Sequence, residues 1–415
     1  MVEWKKGGRM KDLIIIGGGI IGGSSLYYLL EKGYKGKILV LEKNDALAQE
    51  STSLCAGGIR NIWSTTVNME MTSYSIEHFK DFKNIFGVSI GFEQNGYLFT
   101  YYEDEWEDIV NFKPRWDEVG VNVELIPPEE IEALIPGIRA GVNHLDPDIL
   151  EMVPISPIVG GLYGKDCAIL NSTSAAEAYF KYSRDKYPDQ IEISLNTEVH
   201  KIMIGGGEVK GVVTKKGESI EAGAVLLASG AWSKKIFDDS DIPENLSIPV
   251  EPIKRMLFVV SPPKSANYSH IPLTIIDNGI YFRPEAENLI VGRADENQIP
   301  GFDTEPDRSY YEELINLYMQ ARIEGAEYSR IQNMWGGLYA VNTQDNNALI
   351  GEHPDFKNLY LSTGFSGHGV MEAPAAGLSI AEIIEGGGVK TIPEVKKLRI
   401  ERIREREFVK ETIVI

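Results

Sequence analysis

The sequence has only two cysteines, Cys55 and Cys167, in 415 residues. That scarcity excludes a disulfide framework and fits a reducing compartment, so a cytoplasmic location is expected. Its six histidines are scattered without ligand spacing, and no metal site is expected. No apolar run approaches the roughly 18 residues of a membrane span. Positive charge is also short. Against 61 Asp and Glu stand 41 Lys and Arg, a formal net charge of −20. Such a surface repels nucleic acid and anionic lipid, so neither is an expected partner. It does not exclude a small anionic substrate, because a local cationic pocket can sit inside a negative protein. Residues Met1 to Arg9 are basic but lack the apolar core of a signal peptide. They read as a dispensable extension, or else Met10 is the true start.

The chain is long enough for two domains and a large buried core. Leu13 to Ile16 and Ile38 to Leu41 are short, wholly apolar runs, as in strands of a parallel sheet buried on both faces. A helical segment with Leu26, Leu29 and Leu30 on one face lies between them, completing a β-α-β unit. Met69 to Phe86 and Asp104 to Val119 read as helices, and Gly96 to Tyr102 as a strand of another sheet. Ser174 with Glu177 forms a candidate capping box for a helix running to about Tyr187. Thr197 to Ile204, Val209 to Lys215 and Ala224 to Ala228 read as strands, and the last, purely apolar, is expected to rejoin the parallel sheet. Segments 253–260 and 279–293 are strand-rich. Leu359 to Ser362 is a final strand, Pro374 opens a helix at its first turn, and Lys396 to Lys410 reads as a solvated charged helix.

Gly17-Gly18-Gly19-Ile20-Ile21-Gly22 fits G-x-G-x-x-G between a strand and a helix. Gly17 permits the tight turn, Gly19 lets amides approach a pyrophosphate, and Gly22 allows close packing. The helix N-terminus offers N–H groups and partial positive charge to phosphates. Glu42, at the end of the second strand, is placed to accept hydrogen bonds from ribose hydroxyls. The combination points to a dinucleotide. Two further glycine-rich stretches, Ser51-Thr52-Ser53-Leu54-Cys55-Ala56-Gly57-Gly58-Ile59-Arg60 and Gly364-Phe365-Ser366-Gly367-His368-Gly369-Val370-Met371, have the same capacity for close approach to a flat ring or a phosphate.

With Ala228-Ser229-Gly230-Ala231-Trp232-Ser233 and Trp335-Gly336-Gly337-Leu338-Tyr339, these motifs resemble the D-amino-acid-oxidase-like superfamily of FAD-dependent oxidoreductases, from Asp12 to about Glu385. The branch resembled most is that of sarcosine oxidases and dye-linked proline dehydrogenase β-subunits. The resemblance implies an α/β fold. A Rossmann-type FAD domain with a parallel sheet is built from 10–92, 152–243 and 341–390. An antiparallel-sheet α+β substrate domain is built from 93–151 and 244–340, and 391–415 is a charged tail. FAD is implied to lie extended, its adenosine near Glu42 and Val199. Its other expected contacts are Lys43, Ser51, Ser53, Ala56, Gly57, Gly58, Ser229, Gly230, Trp232, Gly337 and the loop from Gly364 to Met371. A helix beginning near Ala373 is expected to point its positive end at the flavin.

The implied activity is oxidation of a small amine or amino acid, of sarcosine, proline, dimethylglycine or glycine type, by hydride transfer to flavin N5, giving an imine. A carboxylate-bearing substrate needs a cation, usually arginine. Arg60, Arg255, Arg283 and Arg293 are the candidates, Arg60 foremost because it follows the double glycine. Tyr281 and Tyr339 are candidate pocket walls, and His368 a candidate contact of flavin or substrate. Each has a plainer reading: a surface ion pair for the arginines, ordinary core packing for the tyrosines, a packed neutral ring for the histidine. Monomeric sarcosine oxidases attach flavin through a cysteine where Gly337 stands here, so FAD is expected to be noncovalent. Met371 and Ile290 stand where those oxidases carry lysines, which favours a dehydrogenase. A homo-oligomer or partner electron-transfer subunits are compatible with the resemblance. Alternative readings are a flavin-bound scaffold without turnover, or a relative oxidising a hydroxy acid or glycerol phosphate.

Overall fold

The computed structural model describes residues 11–263, 267–295 and 297–413. The expected extension Met1 to Arg9 and the alternative start at Met10 lie outside them. Six strands form one sheet in the order Leu349–Glu352, Leu359–Thr363, Val225–Leu227, Leu13–Ile16, Ile38–Leu41, Ile191–Ser194. All pairings are parallel except that of Leu349–Glu352 with Leu359–Thr363. Successive side chains of a strand point to opposite faces, and here both faces are apolar. Leu13, Ile15, Ile38, Val40 and Leu226 face a core of helices. Ile14, Ile16, Leu39, Leu41, Val225 and Leu227 face a second core, covered by the antiparallel meander of Val199–Gly205, Glu208–Thr214 and Ser219–Glu221.

The helix Ile20–Glu31 packs against Gly369–Ile384 and Ser172–Lys186. Small residues set the distance. A Cβ on Gly377 would lie 2.2 Å from Ser24 Oγ, and that hydroxyl donates to the Ala373 carbonyl at 2.6 Å. The last helix is thereby locked beside the first, which brings the loop before it over the first glycine turn.

An eight-stranded sheet runs Ile331–Asn342, Val250–Val260, Asn288–Arg293, Ile280–Glu285, Leu273–Ile276, Tyr97–Tyr101, Gly160–Gly164, Val123–Ile126. It is antiparallel except where Leu273–Ile276 lies parallel to Tyr97–Tyr101. One face packs Phe258, Phe282 and Val291 on Tyr311, Ile315 and Met319 of two short helices. The other presents Tyr97, Leu273, Tyr281 and Ile290 toward the parallel-sheet core. Among the described residues no helix is long and apolar enough to cross a membrane.

Several expectations need correction. The helix expected over 69–86 is two, Thr66–Lys80 and Phe82–Phe86, broken at Asp81, which leaves the helical region. The cap of Ser172–Lys186 is Asn171, whose Oδ1 accepts from Ser174 N at 2.8 Å, so Ser174 is a first-turn residue. The last helix begins at Gly369, with Pro374 inside it. The missing proline N–H costs one bond near the end that is poorest in bonds anyway. Strand Gly160–Gly164, within 152–243, pairs with Tyr97–Tyr101 and Val123–Ile126 of the eight-stranded sheet.

The tail is no solvated helix. It forms a short 3-10 helix, Pro393–Leu398, a short α-helix, Glu401–Glu405, and an extended end. Leu398, Arg402 and Glu411 are buried in it. Arg402 pairs with Asp345 through two bonds of 2.8 and 3.0 Å, and both side chains are within 1% of full burial. Asp345→Ala leaves that guanidinium buried and unpaired. The expected loss is about 3–5 kcal/mol, read from denaturant unfolding; a loss under 1 kcal/mol contradicts the role of this pair.

His353 is buried and His78 half-buried, and removal from water pushes both down to about 4. An unfolded histidine titrates near 6.5, so between those values the unfolded chain binds more protons. Stability is therefore full above about pH 6.5 and falls as pH drops toward 4. Thermal unfolding from pH 7 to 4 should show that decline, with a shallower slope in His78→Phe.

Candidate active site

Four strand ends meet at one edge of the parallel sheet. Leu13–Ile16 leads to Gly17, Ile38–Leu41 to Glu42, Val225–Leu227 to Ser229 and Gly230, and Leu359–Thr363 to Gly364. Open α/β sheets bind ligands at this edge. A long cavity of about 1300 Å³, part of it open to solvent, runs along it. Its wall includes Gly17, Gly19, Ile20, Ile21, Glu42, Lys43, Ser51, Val199, Ser229, Gly230, Trp232, Phe365, Ser366, Gly367, Gly369 and Val370, all named from the sequence.

The first turn is built for close approach. Gly17 has φ +114°, and a Cβ there would lie 2.4 Å from the Ala228 carbonyl oxygen. Gly22 allows the helix to sit against that turn, since its Cβ would lie 2.1 Å from the Gly17 oxygen. Gly19 caps the helix without a side chain, and Thr52 Oγ1 accepts from Ile20 N at 3.1 Å in its place. The carboxylate of Glu42 accepts from Gly18 N and Asn44 N, both at 2.8 Å. It thus braces the turn while lining the cavity. Lys43 extends over the Trp232 ring at 4.2 Å, so charge and aromatic surface adjoin at one end. These features fit a dinucleotide: an N-terminal helix turn without side chains, an acidic group beside it, and a long apolar channel beyond.

A smaller cavity of about 510 Å³ continues from the first. Cys55, Tyr339, Gly367 and Val370 line both. The rest of its wall is Ala56, Gly57, Gly58, Arg60, Tyr97, Leu273, Tyr281, His368 and Met371. Arg60 is 2% exposed and lies over the Trp63 ring at 3.5 Å. It donates to the carbonyls of Ile62 and Ile413, and among the described residues no carboxylate forms an ion pair with it. His368 is buried against Trp63, ring centroids 4.3 Å apart, and neither ring nitrogen has a partner. Burial, with the nearby Arg60 charge, holds its pKa well below the usual value, so the ring is neutral. Tyr281 and Tyr339 are raised by burial and stay protonated.

Other sequence candidates lie elsewhere. Arg283 donates to the Ala56 carbonyl at 2.5 Å and pairs with Glu285 at 2.7 Å, so it clamps the Ala56 loop and does not line the cavity. Arg255 sits 5.2 Å from the Tyr339 ring, outside both walls. Arg293 pairs with Asp295. Ser53 is exposed and bonds back to Glu50. Gly337 faces Leu54, and Gly364 faces Val250. The double glycine lines the smaller cavity and serves packing as well. A Cβ on Gly57 would strike the Leu170 carbonyl, and one on Gly58 the Tyr97 hydroxyl, so both serve protein packing as they line the cavity.

Thr52, Cys55, Tyr97 and Glu372 were missed. Tyr97 was legible as an inward position of its strand. Glu372 follows His368 by four residues and is buried with both carboxylate oxygens unpartnered. Burial raises it well above the usual carboxylate range, with the charge of Glu411 adding to the shift, so it is held protonated.

The family model for FAD dependent oxidoreductases matches residues 12–383. The chain belongs to that family. It is 29% identical to FAD-dependent oxidoreductase domain-containing protein 1 of Xenopus laevis, over 92% of this chain and 80% of that one. To glycine oxidase of Bacillus licheniformis it is 25% identical, over 92% and 94%. Among solved structures it is similar to L-proline dehydrogenase from P. horikoshii, with a TM-score of 0.82 and 27% identity, covering 96% and 99%. As a member of the FAD-dependent oxidoreductases, the chain has the cofactor its glycine turns implied.

Glu42→Ala removes both the brace of the first turn and the acidic group facing the channel. Charge-assisted hydrogen bonds of this kind are worth about 1.5–3 kcal/mol. The expected result is a Kd for FAD raised about tenfold to a hundredfold in apoprotein titration; an unchanged Kd contradicts the placement.

Proposed function

We propose that this chain is a dehydrogenase of small amino acids whose nitrogen is a primary or secondary amine, with proline, sarcosine and glycine as the substrate class. The observation that carries the reading is the buried, unpaired Arg60 on the wall of a small cavity that opens into the dinucleotide channel. A buried cation without an ion-pair partner is costly. A substrate carboxylate relieves that cost and is bound in return. The similarity to glycine oxidase and to L-proline dehydrogenase supports the same class.

FAD would be held noncovalently by Gly17, Gly19 and Glu42 at its nucleotide half and by the loop Gly364 to Met371 at its ring. Bound there, it would supply a hydride acceptor for the carbon next to the substrate nitrogen. The protein residues supply orientation. Arg60 would fix the carboxylate, and the walls of Tyr97, Tyr281 and Tyr339 would exclude water and set which face of the substrate is presented. Neutral His368 adds no positive charge to the cavity, which lets the amine enter or become neutral beside Arg60. One of its unpartnered ring nitrogens can accept a hydrogen bond from a neutral amine, while burial and the Arg60 charge keep the ring itself from taking a proton.

Apolar Met371 on the small cavity's wall and buried Ile290 take the places of oxidase lysines, and they favour electron transfer to an acceptor other than oxygen. Anaerobic titration of the FAD-loaded protein should bleach the flavin with at least one amino acid and with no hydroxy acid. Dye should reoxidise it faster than oxygen. Arg60→Met should raise KM about a hundredfold for the carboxylate substrate, in line with the 2–5 kcal/mol lost when one partner of a buried charge pair is removed. Failure of every amine and amino acid to bleach the flavin rejects the reading and favours a scaffold without turnover.

A further inference from the structure

The family match ends at residue 383, yet the chain beyond it reaches back to the small cavity. The extended end runs alongside the loop that carries Arg60. Asn347 Nδ2 donates to the Val409 carbonyl at 2.5 Å, and Val409 N donates to Asp345 at 3.1 Å. Arg402 holds the same Asp345 from the other side. Glu411 is fully buried two residues further on.

Its carboxylate is the most heavily bonded group in this region. Oε1 accepts from Ser64 N at 2.9 Å, Ser64 Oγ at 2.6 Å and Ile413 N at 2.9 Å. Oε2 accepts from Thr65 N at 3.0 Å and Thr65 Oγ1 at 2.9 Å. Ser64 and Thr65 lead into the helix Thr66–Lys80, whose N-terminal end favours a negative charge. So one carboxylate ties the tail to the start of a helix and turns the tail's own backbone around itself. That turn aims the Ile413 carbonyl at Arg60, which donates to it from Nη2 at 2.6 Å.

The charges agree with the geometry. Burial lowers the pKa of Arg60, and Glu411 is among the groups whose charge opposes the shift. Glu372 on the facing helix is held protonated and contributes no charge. Neutral His368 contributes none either. Glu411 supports Arg60 without forming an ion pair with it, so the guanidinium stays cationic while its remaining N–H groups stay uncommitted to a protein carboxylate.

We infer that the C-terminal segment Val409–Ile413 is part of the substrate site: Glu411 is a positioning residue that, through the Ile413 carbonyl, holds Arg60 where it receives the substrate's carboxylate. The inference rests on the reading of Arg60 as the carboxylate receptor and assigns the tail a role in specificity, not in the redox step.

The test uses the FAD-loaded full chain and three variants: Glu411→Ala, Glu411→Gln, and a chain lacking residues 413–415, which keeps Glu411 but removes the Ile413 carbonyl. Acetate is titrated as the probe, read by calorimetry and by the flavin's visible spectrum, and KM and kcat are measured with the amino acid that bleaches the wild type. Glu411→Ala and the shortened chain should each raise the acetate Kd and the KM at least tenfold. FAD content should be unchanged and kcat should move less than threefold, and Glu411→Gln should fall between them and wild type. If either variant fails to fold, the other two carry the same comparison. An acetate Kd unchanged in the folded variants overturns the inference, and so does a matching fall in kcat with KM untouched. A wild type that bleaches with an amino acid while the variants bind acetate normally sinks the tail's role alone. A wild type that neither binds acetate nor bleaches sinks the proposed function with it.

Discussion

Backbone amides at the carboxyl edge of a parallel sheet can serve a polyanion only if no side chain stands in the way, and this constraint organises the molecule. The turn after Leu13–Ile16 meets it with Gly17 and Gly19, at positions where a Cβ would strike the Ala228 carbonyl or crowd Thr52. Meeting it there forces other choices. Thr52 must come from a distant loop to satisfy Ile20 N. Glu42 must be oriented by Gly18 N and Asn44 N. The last helix must approach closely enough for its preceding loop to share the cavity, which needs the Gly377 and Ser24 contact. One steric requirement thus propagates through segments more than 300 residues apart in sequence.

The second sheet turns that channel into a site with chemistry. Its inward face supplies Tyr97, Leu273 and Tyr281, and its long strand Ile331–Asn342 supplies Tyr339, whose ring fills the space that a side chain at Gly367 would occupy. The resulting cavity is lined by aromatic and apolar side chains and carries one buried cation among the described residues that line it. Low polarity around Arg60 makes an incoming carboxylate worth more than it would be in water. The same low polarity keeps His368 and Glu372 neutral. Burial thus leaves Arg60 as the cation of that wall, beside a neutral ring and a protonated carboxyl.

Where local pattern decides the outcome, the sequence was readable. The all-apolar runs at 13–16, 38–41 and 225–227 are strands buried on both faces, and G-x-G-x-x-G between strand and helix needs no tertiary context. Gly17, Gly19, Ile20 and Ile21 of the channel wall were legible from that motif, whereas Lys43, Val199 and Trp232 came only with the resemblance. The substrate side was less legible. Arg60, Arg255 and Arg283 look alike in one dimension. Only packing shows that Arg283 is spent on Ala56 and Glu285, and that Arg60 is not. Gly57 and Gly58 line the small cavity, and Leu170 and Tyr97 take the space a Cβ on either would need. Position along the chain carries no information about which of two close approaches a glycine serves.

The tail shows the same limit most sharply. Fifteen residues dense in Lys, Arg and Glu predict solvation, because burying a charge costs several kcal/mol unless it is paired or hydrogen-bonded. Arg402 and Glu411 escape that rule with partners at Asp345, Ser64 and Thr65, each more than 50 residues away. Such partners are invisible to local reading, since charge density measures cost and only the fold supplies the compensation. Once compensated, a buried charge becomes a directional element. Glu411 cannot shift without leaving the backbone donors of Ser64, Thr65 and Ile413 unsatisfied, which restrains the carbonyl that Arg60 donates to.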